Sequence, residues 1–182
     1  MLEVPHHFES ERLVLRKFLP EDAAMIFYQY AGNPRATKFV SWPTHQTIED
    51  TRDYLKYAGD AWLKGVDFSF AIIEKSSDKL IGGTGFVNED GKVYLGYILA
   101  ETAWGKGYAT EATKTLVAWL KAQQQIYRIW AICDAEHGPS IRVLEKSGFI
   151  QEALIRKWCR FPNQNNHAKD CFFYVLGPAD AL

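Results

Sequence analysis

The sequence predicts an α+β domain in which helices flank a mixed, mostly antiparallel sheet in three layers. Short segments alternate apolar and polar residues, as β-strands do, and residues 75–78 form a polar turn between two of them. Longer segments have apolar residues at helical spacing. Late in the chain one helix lies between two strands, which is the pattern of a single parallel crossover among hairpins. These patterns predict the order β-α-α-β-β-β-α-β-α-β-β within one domain over residues 1–182.

The first half of the chain begins with a strand at residues 11–18. Pro20 then starts a helix with acidic residues in its first turn, and this helix ends before Pro34. Thr47 is a suitable N-cap for a second helix, which Gly65 ends. Three strands follow, at residues 67–74, 79–87 and 92–99.

The second half continues with a helix that ends near Leu120 and a strand at residues 127–133. Pro139 is suited to the first turn of the next helix, and Gly148 is suited to the position just after its end. Two final strands, which begin at residues 149 and 171, are joined by a polar loop.

Composition and charge exclude several classes of protein. Lys and Arg number 21 and Asp and Glu number 22, so a net charge of -1 gives no global attraction to DNA or a membrane surface. The three cysteines, Cys133, Cys159 and Cys171, form no CxxC pair, which argues against a disulfide framework or a metal site. We therefore expect a cytoplasmic protein with reduced thiols, no signal peptide and no membrane span.

A glycine-rich loop connects a predicted strand to a predicted helix. Trp104, Gly105, Lys106, Gly107 and Tyr108 follow one another there. A helix N-terminus leaves backbone N–H groups unpaired and carries partial positive charge. Glycines let an anion approach those groups closely, and a lysine adds a full charge. The loop therefore predicts a phosphate or pyrophosphate site, although a sharp turn alone would also use glycines.

Two common nucleotide motifs fit this loop poorly. A Walker loop needs Ser or Thr after its lysine, and Lys106 is followed by glycine. A dinucleotide fingerprint matches at Gly105 and Gly107 but not at Thr110, although Asp134 ends the next strand near the place of a ribose-binding acid. That alternative, a nucleotide-dependent oxidoreductase, leaves the first ninety or so residues unexplained.

Four segments in order resemble the GNAT superfamily of N-acetyltransferases, and most closely its RimJ/RimL-type branch. "ERLVLRKFLPED" resembles the opening strand and helix, and "LGYILAETAWGKGYATEA" resembles the acetyl-CoA motif. "SIRVLEKSGF" resembles the second motif, a helix beside the pantetheine arm, and "KDCFFYVL" resembles the closing strand. Trp104 stands where the superfamily usually has Gln or Arg, a position that mainly offers its backbone.

The resemblance implies acetyl-CoA as co-substrate and a strand, ending in "GYIL", that splays from its neighbour. Backbone groups at the end of that strand would bind pantetheine, and the glycine loop would bind pyrophosphate. The implied cofactor-binding residues are Ile98, Leu99, Ala100, Trp104, Gly105, Lys106, Gly107, Tyr108, Ala109, Thr110, Ser140 and Lys146.

The resemblance also implies catalytic candidates, and each has a simpler alternative. Ser140 would protonate or orient the leaving sulfur, or it would only cap its helix. His137, in place of a frequent asparagine, would act as base or contact the cofactor, or it would be an ordinary loop histidine. Glu111 would bind an acceptor amine or favour the helix dipole. Many relatives have a tyrosine as general acid where this chain has Leu144.

The acceptor is expected to be a protein N-terminal α-amine, because the RimJ/RimL-type branch acetylates protein N-termini. The alternatives are a small amine, such as a polyamine, amino acid or antibiotic, and a CoA-binding module without activity. Homodimers are common in the family.

The remaining candidate residues each have two interpretations or a plain one. Asp170 would face the acceptor or stabilise a turn, and residues 156–169 would be a solvated loop or contact RNA. His6 and His7 would be solvated tail residues. Most aromatic residues of the N-terminal helical region are expected in the core: Trp42, Trp62, Tyr28, Tyr30, Tyr54 and Tyr57.

Overall fold

The computed structural model describes residues 2–177 and contains one eight-stranded sheet. Its strands are β1 (His7–Glu9), β2 (Leu13–Lys17), β3 (Asp67–Glu74), β4 (Lys79–Glu89), β5 (Lys92–Leu99), β6 (Arg128–Asp134), β7 (Phe149–Arg160) and β8 (Ala168–Leu176). They lie in the order β1-β2-β3-β4-β5-β6-β8-β7. Only the β5–β6 pair is parallel. The mixed, mostly antiparallel sheet predicted from the sequence is confirmed.

In the described part of the chain, four helices flank the sheet: α1 (Ala23–Ile26), α2 (Ile48–Leu63), α3 (Tyr108–Lys121) and α4 (Gly138–Lys146). A 3-10 turn precedes α1, and a π-helical turn at Phe27–Ala31 follows it. Thr47 caps α2 as predicted, because its hydroxyl accepts from the Asp50 N–H while the Asp50 carboxylate accepts from the Thr47 N–H at 2.9 Å. Gly148 follows α4 with a φ of 87°, a conformation that favours glycine.

Two apolar cores lie on opposite faces of the sheet. Ile72 belongs to one core and its neighbour Ala71 to the other, because successive side chains of a strand point to opposite faces. The larger core includes Leu116 of α3 and Leu144 of α4. The smaller core includes Leu55 of α2. The chain is therefore layered as helices, sheet and helices.

Two segments differ from the sequence prediction. Both His6 and His7 are exposed to solvent, as predicted, but His7 pairs with Arg16 in β1 and the His6 ring packs against Trp62 at a centroid distance of 5.8 Å, so neither is a free tail residue. A three-residue strand is too short to show alternation. Within residues 156–169, the strands β7 and β8 take both ends, which leaves only 161–167 as a loop.

Strands β5 and β6 separate soon after they meet. Their parallel pairing consists of three pairs, from Lys92–Arg128 to Tyr94–Trp130. In contrast, β4 and β5 stay paired as far as Leu99. The predicted splay is confirmed, and it leaves a gap between the carboxyl ends of β5 and β6.

No helix within residues 2–177 is both long and apolar enough to span a membrane.

Candidate active site

The glycine loop lies directly before α3, at the end of β5. Gly105 and Gly107 have φ values of 73° and 81°, which explains why the loop uses glycine twice. Gly107 is the N-cap residue of α3. Tyr108, Ala109 and Thr110 form the first helical turn. Their N–H groups have no intrahelical acceptor, so they are suited to bind an anion.

A groove of about 530 Å³ opens beside this helix start, and we call it the helix groove. Gly107 and Thr110 line it together with three cations, Arg12, Lys114 and Lys146. Lys146 was predicted to bind cofactor, and the structure brings it to the glycine loop from α4. Its remaining lining residues are Glu11, Glu111 and Thr115.

Lys106 does not line the helix groove. Its carbonyl accepts a hydrogen bond from Arg12 Nη1 at 3.0 Å, and its side chain is exposed. Sequence reasoning missed two of the groove cations, Arg12 and Lys114, and of these Lys114 lies four residues after Thr110 and so on the same helical face. That spacing would have identified it.

Arg12 and Glu111 hold the loop in place. The Glu111 carboxylate accepts from the Ser10 hydroxyl at 2.7 Å and from Arg12 N–H and Nε at 2.8 and 2.7 Å. Partial burial opposes ionisation of Glu111, but these hydrogen bonds prevail and lower its pKa. The Arg12 guanidinium also lies over the Tyr108 ring, 4.6 Å from its centroid. Both oxygens of Glu111 are thus engaged within the protein.

The backbone that faces the gap between β5 and β6 belongs to alternate residues of β5. The Ala100 N–H donates to the Ile81 carbonyl at 2.8 Å, so it points towards β4. Because backbone groups of successive residues point to opposite sides of a strand, Ile98 also faces β4, whereas Tyr97 and Leu99 face the gap. The Leu99 carbonyl accepts from Trp104 Nε1 at 3.0 Å. Of the predicted trio Ile98, Leu99 and Ala100, the structure directs only Leu99 into the gap.

Ser140 lies at the start of α4 and forms a hydroxyl pair with Tyr97. The two side-chain oxygens are 2.8 Å apart, and either could donate to the other, while the Tyr97 hydroxyl also lies 3.2 Å from the Ser140 carbonyl. The N-terminus of α4 has no side-chain cap, so capping does not explain this serine. Burial raises the pKa of Tyr97 well above its usual value. Sequence reasoning missed Tyr97, because only the fold brings β5 against α4.

His137 is the residue before α4 and stacks on Phe39. The ring centroids are 4.1 Å apart and the planes differ by 8°. Burial lowers the pKa of His137 to about 4, with Lys38 and Arg142 acting in the same direction and Asp134 opposing them. The imidazole is therefore neutral near pH 7 and is a weak base.

A second groove of about 370 Å³ lies between the β7–β8 loop and Lys38, and we call it the hairpin groove. Asn163 fixes its walls. Its Nδ2 donates to the carbonyls of Thr37 and Trp42 at 2.7 and 2.9 Å. Its Oδ1 accepts from the N–H and hydroxyl of Thr44 at 2.9 and 3.1 Å. One amide thus clasps two loops that are more than a hundred residues apart in the chain.

A family model for the acetyltransferase (GNAT) domain matches residues 12–150. The chain belongs to the GNAT family of N-acetyltransferases. The matched range contains the splayed strands, the glycine loop and the Ser140 hydroxyl pair. The match shows the family and leaves the acceptor open.

Relatives of this GNAT chain have similar lengths, and solved acetyltransferase structures share its fold. The protein described as uncharacterized N-acetyltransferase p20, from Bacillus licheniformis, is 35% identical over 152 residues, covering 82% of this chain and 85% of p20. A GNAT-family acetyltransferase from Bacillus anthracis has a TM-score of 0.82 at 26% identity, covering 93% of this chain and 96% of that chain. RimL, a ribosomal L7/L12 alpha-N-protein acetyltransferase solved with coenzyme A, has a TM-score of 0.83 over 93% of this chain and 96% of its own. At 19% identity, that likeness shows the fold alone.

Other predicted residues have structural partners in this GNAT fold. Asp170 accepts from the Lys157 N–H at 2.9 Å, where Lys157 has a φ of 50° in a bulge of β7. This contact supports the turn interpretation of Asp170. Tyr30 and Trp62 are buried as expected, whereas Tyr28 and Tyr57 are exposed. Within residues 2–177, no group of three or more His, Cys, Asp or Glu side chains could hold a metal ion.

Proposed function

We propose that this N-acetyltransferase uses acetyl-CoA to acetylate a protein N-terminal α-amine. The observation that carries the choice of amine is the weakness of the bases around α4. His137 has its pKa lowered to about 4, Asp134 is buried and accepts from Gln164, and Glu136 is paired with Lys169. An acceptor of this enzyme must therefore supply much of its own neutral amine.

The fraction of each amine that is neutral at pH 7.5 favours α-amines as acceptors. With an ordinary pKa near 8, about a quarter of α-amines are neutral at pH 7.5. A lysine side chain or a polyamine, with a pKa near 10.4, is neutral in only about one molecule per thousand. A site without a strong base thus disfavours the second class by roughly two orders of magnitude before any contact is made.

The cofactor interpretation is supported by the shape and charge of the site. A Cβ at Gly107 would lie in the helix groove at a φ of 81°, 3.5 Å from Arg12 Nη2, so glycine keeps the helix start accessible. Lys114 and Lys146 supply positive charge to that groove, while the charge of Arg12 is shared with Glu111. The backbone of Tyr97 and the N–H of Leu99 have no partner in β6 and are suited to an amide-containing arm. RimL, with the same fold, was solved in complex with coenzyme A.

Acetyl-CoA would supply the acetyl group as an activated thioester. In this proposal the N–H groups of Tyr108, Ala109 and Thr110 bind its pyrophosphate, and the gap-facing backbone of β5 orients its arm. A backbone N–H aimed at a developing negative charge is worth a few kcal/mol in the transition state. The Ser140 hydroxyl, oriented by Tyr97, donates a hydrogen bond to the departing sulfur.

The Ser140–Tyr97 pair stabilises the thiolate and does not fully protonate it. A free thiol has a pKa near 8.5, while the pKa of Tyr97 lies well above its ordinary value of 10. Transfer of the phenolic proton to the thiolate would therefore be uphill, and the final proton comes from solvent. Glu111, whose two oxygens are engaged by Ser10 and Arg12, serves in this proposal to position the loop.

A test compares three acceptors in a CoA-release assay at pH 7.5. The first is a peptide with a free N-terminus and no lysine. The second is the same peptide with a blocked N-terminus and one internal lysine, and the third is a polyamine. We expect turnover of the first peptide at least tenfold above the others.

Faster turnover of the polyamine or the internal lysine would overturn the choice of an α-amine and favour the small-amine alternative. Release of no CoA with any acceptor, while acetyl-CoA still binds, would instead favour a CoA-binding module. Mass spectrometry of the first peptide shows whether the acetyl group is on its N-terminus.

A further inference from the structure

The hairpin groove has a charge pattern that acetyl transfer itself does not require. Lys38, His167 and Lys169 line it, together with the amide side chains of residues 163–165, and no carboxylate is among these six lining residues. We propose that this groove recognises a negatively charged group on the acceptor, so that the substrate is an amine that also carries a carboxylate. This rests on the proposed function, because it concerns the second substrate of the same enzyme.

Lys38 supplies the uncompensated charge of the hairpin groove. Lys169 Nζ lies 2.7 Å from Glu136 Oε2, so its charge is shared. Lys38 has no ion-pair partner in the part of the chain that the structure describes, and its Nζ lies 4.9 Å from the centroid of the Phe39 ring. The nearby Asp134 carboxylate is buried and accepts from the Glu136 N–H and from Gln164. An incoming carboxylate would therefore meet the free Lys38 ammonium group and the Asn165 amide.

The groove is joined to the turn before α4 by direct contacts. Phe39, next to Lys38, stacks on His137. Gln164 Nε2 donates to Asp134 Oδ2 at 2.9 Å, at the end of β6. The same turn leads within three residues to Ser140, the proposed donor to the leaving sulfur. An acceptor whose amine reaches the gap between β5 and β6 would thus place a neighbouring group at the hairpin groove.

Asn163 makes the groove a fixed feature. Its four hydrogen bonds to Thr37, Trp42 and Thr44 satisfy both donors and both acceptor sites of the amide. The amide of Asn163 therefore has no free hydrogen-bonding group for a ligand. Its bonds fix the loop of residues 37–44, and this loop places Lys38 at the groove. A loop whose backbone is already fixed pays less ordering cost when a ligand binds.

The same charge pattern disfavours polycations. A polyamine would bring ammonium groups to Lys38 and Lys169, whereas an acidic side chain close to a peptide N-terminus would bring a carboxylate. A small acidic amine, such as an amino acid with an acidic side chain, offers the same chemistry. Peptide and small-molecule acceptors are therefore separate arms of the test.

The test uses the full chain and three hexapeptides that all begin with the same N-terminal residue. Their second and third residues are Glu-Glu, Gln-Gln or Lys-Lys, and an acidic amino acid forms a fourth arm. We expect the Glu-Glu peptide to have a kcat/KM about tenfold above that of Gln-Gln and further above Lys-Lys, mainly through KM, with the preference weakened by salt. Lys38→Glu should abolish or reverse the order, and the matched variant Lys56→Glu, on the exposed side of α2, should keep it.

Peptide affinity, measured by calorimetry with coenzyme A present, is a readout that does not need turnover. Tighter binding of Glu-Glu that is lost in Lys38→Glu supports the groove even if the proposed α-amine reaction fails. Equal affinities for all three peptides, or a Glu-Glu preference unchanged in Lys38→Glu, would overturn it. Preference for the acidic amino acid over the peptides would support recognition of a carboxylate by the groove and would show that the acceptor is a small molecule.

Discussion

At the scale of single residues, the hydroxyl pair of Ser140 and Tyr97 is the clearest product of the fold. Ser140 was identifiable from its motif, but its partner lies 43 positions earlier in the chain, on β5. The pair is nearly excluded from solvent at Ser140, where a hydrogen bond is electrostatically stronger than in water. Its position at the open end of the β5–β6 gap suits the departure of a thiolate.

Ser140→Ala should lower kcat about tenfold and leave the affinity for acetyl-CoA nearly unchanged. The reason is that an interaction made mainly in the transition state appears in kcat. Tyr97→Phe should have a similar effect, and the double variant should be little worse than either single variant, since the two hydroxyls act as a unit. Steady-state kinetics and calorimetry measure both quantities. Unchanged kcat in both single variants would remove the pair from the reaction.

His137 should make stability depend on pH. Its pKa is about 4 in the folded protein and near 6.5 when unfolded, so below pH 6.5 the unfolded chain binds the additional proton. Its contribution is complete above pH 6.5 and falls as the pH drops towards 4. The expected loss between pH 7 and 5 is on the order of 1–2 kcal/mol, discounted for partial exposure.

Urea unfolding of His137→Phe, which keeps a ring against Phe39, tests this at both pH values. The variant should lose less stability than the parent on acidification. His7→Gln, at an exposed position of β1, is the control and should behave as the parent does. An equal loss in His137→Phe and the parent would show that the folded imidazole titrates normally.

At the scale of elements, the helix start of α3 depends on a remote clamp. Arg12 and Ser10 come from the segment around β2, and they bind Glu111 of α3 at 2.7–2.8 Å. The glycines that make the loop accessible to an anion also make it flexible. The clamp therefore substitutes for the rigidity that glycine removes.

Glu111→Gln should weaken acetyl-CoA binding several-fold and lower the free energy of unfolding by about 1 kcal/mol, because an amide cannot accept from all the Arg12 donors. Glu49→Gln is a matched control, since Glu49 pairs with Arg52 on the exposed surface of α2 and should matter little. Calorimetry and urea unfolding measure the two effects. A raised acceptor KM with unchanged acetyl-CoA affinity would instead assign Glu111 to the acceptor amine.

Most elements were predictable because their cues are local. The Thr47 cap, the turn at residues 75–78 and the glycine loop are each specified within a few residues of sequence. The site was less predictable, since Arg12, Tyr97 and Asn163 act across 43 to 126 positions of chain. The backbone direction at the end of β5 was also hidden, because it depends on register with β4. The acceptor and the oligomeric state stay predictions.

At the scale of the whole molecule, ligand binding should raise thermal stability. At about a hundred times its Kd, acetyl-CoA should add roughly 2.7 kcal/mol, which raises Tm by several degrees in a protein of this size. NADH should have no such effect. Gly107→Ala should lose much of the response, whereas Gly59→Ala, in α2 where an added Cβ meets nothing within 4 Å, should retain it. Stabilisation by NADH alone would contradict the cofactor assignment.

The helix groove and the hairpin groove draw on separate stretches of the chain. The first uses residues 11–12, 107–115 and 146, and the second uses residue 38 and residues 163–169. Mutational drift in one set therefore leaves the other intact. Selection for a new acceptor could explore the second set while donor use is inherited unchanged. A directed-evolution library confined to Lys38, Asn165, His167 and Lys169 would sample new specificities while it keeps the Asn163 hydrogen bonds and the Gln164 contact with Asp134.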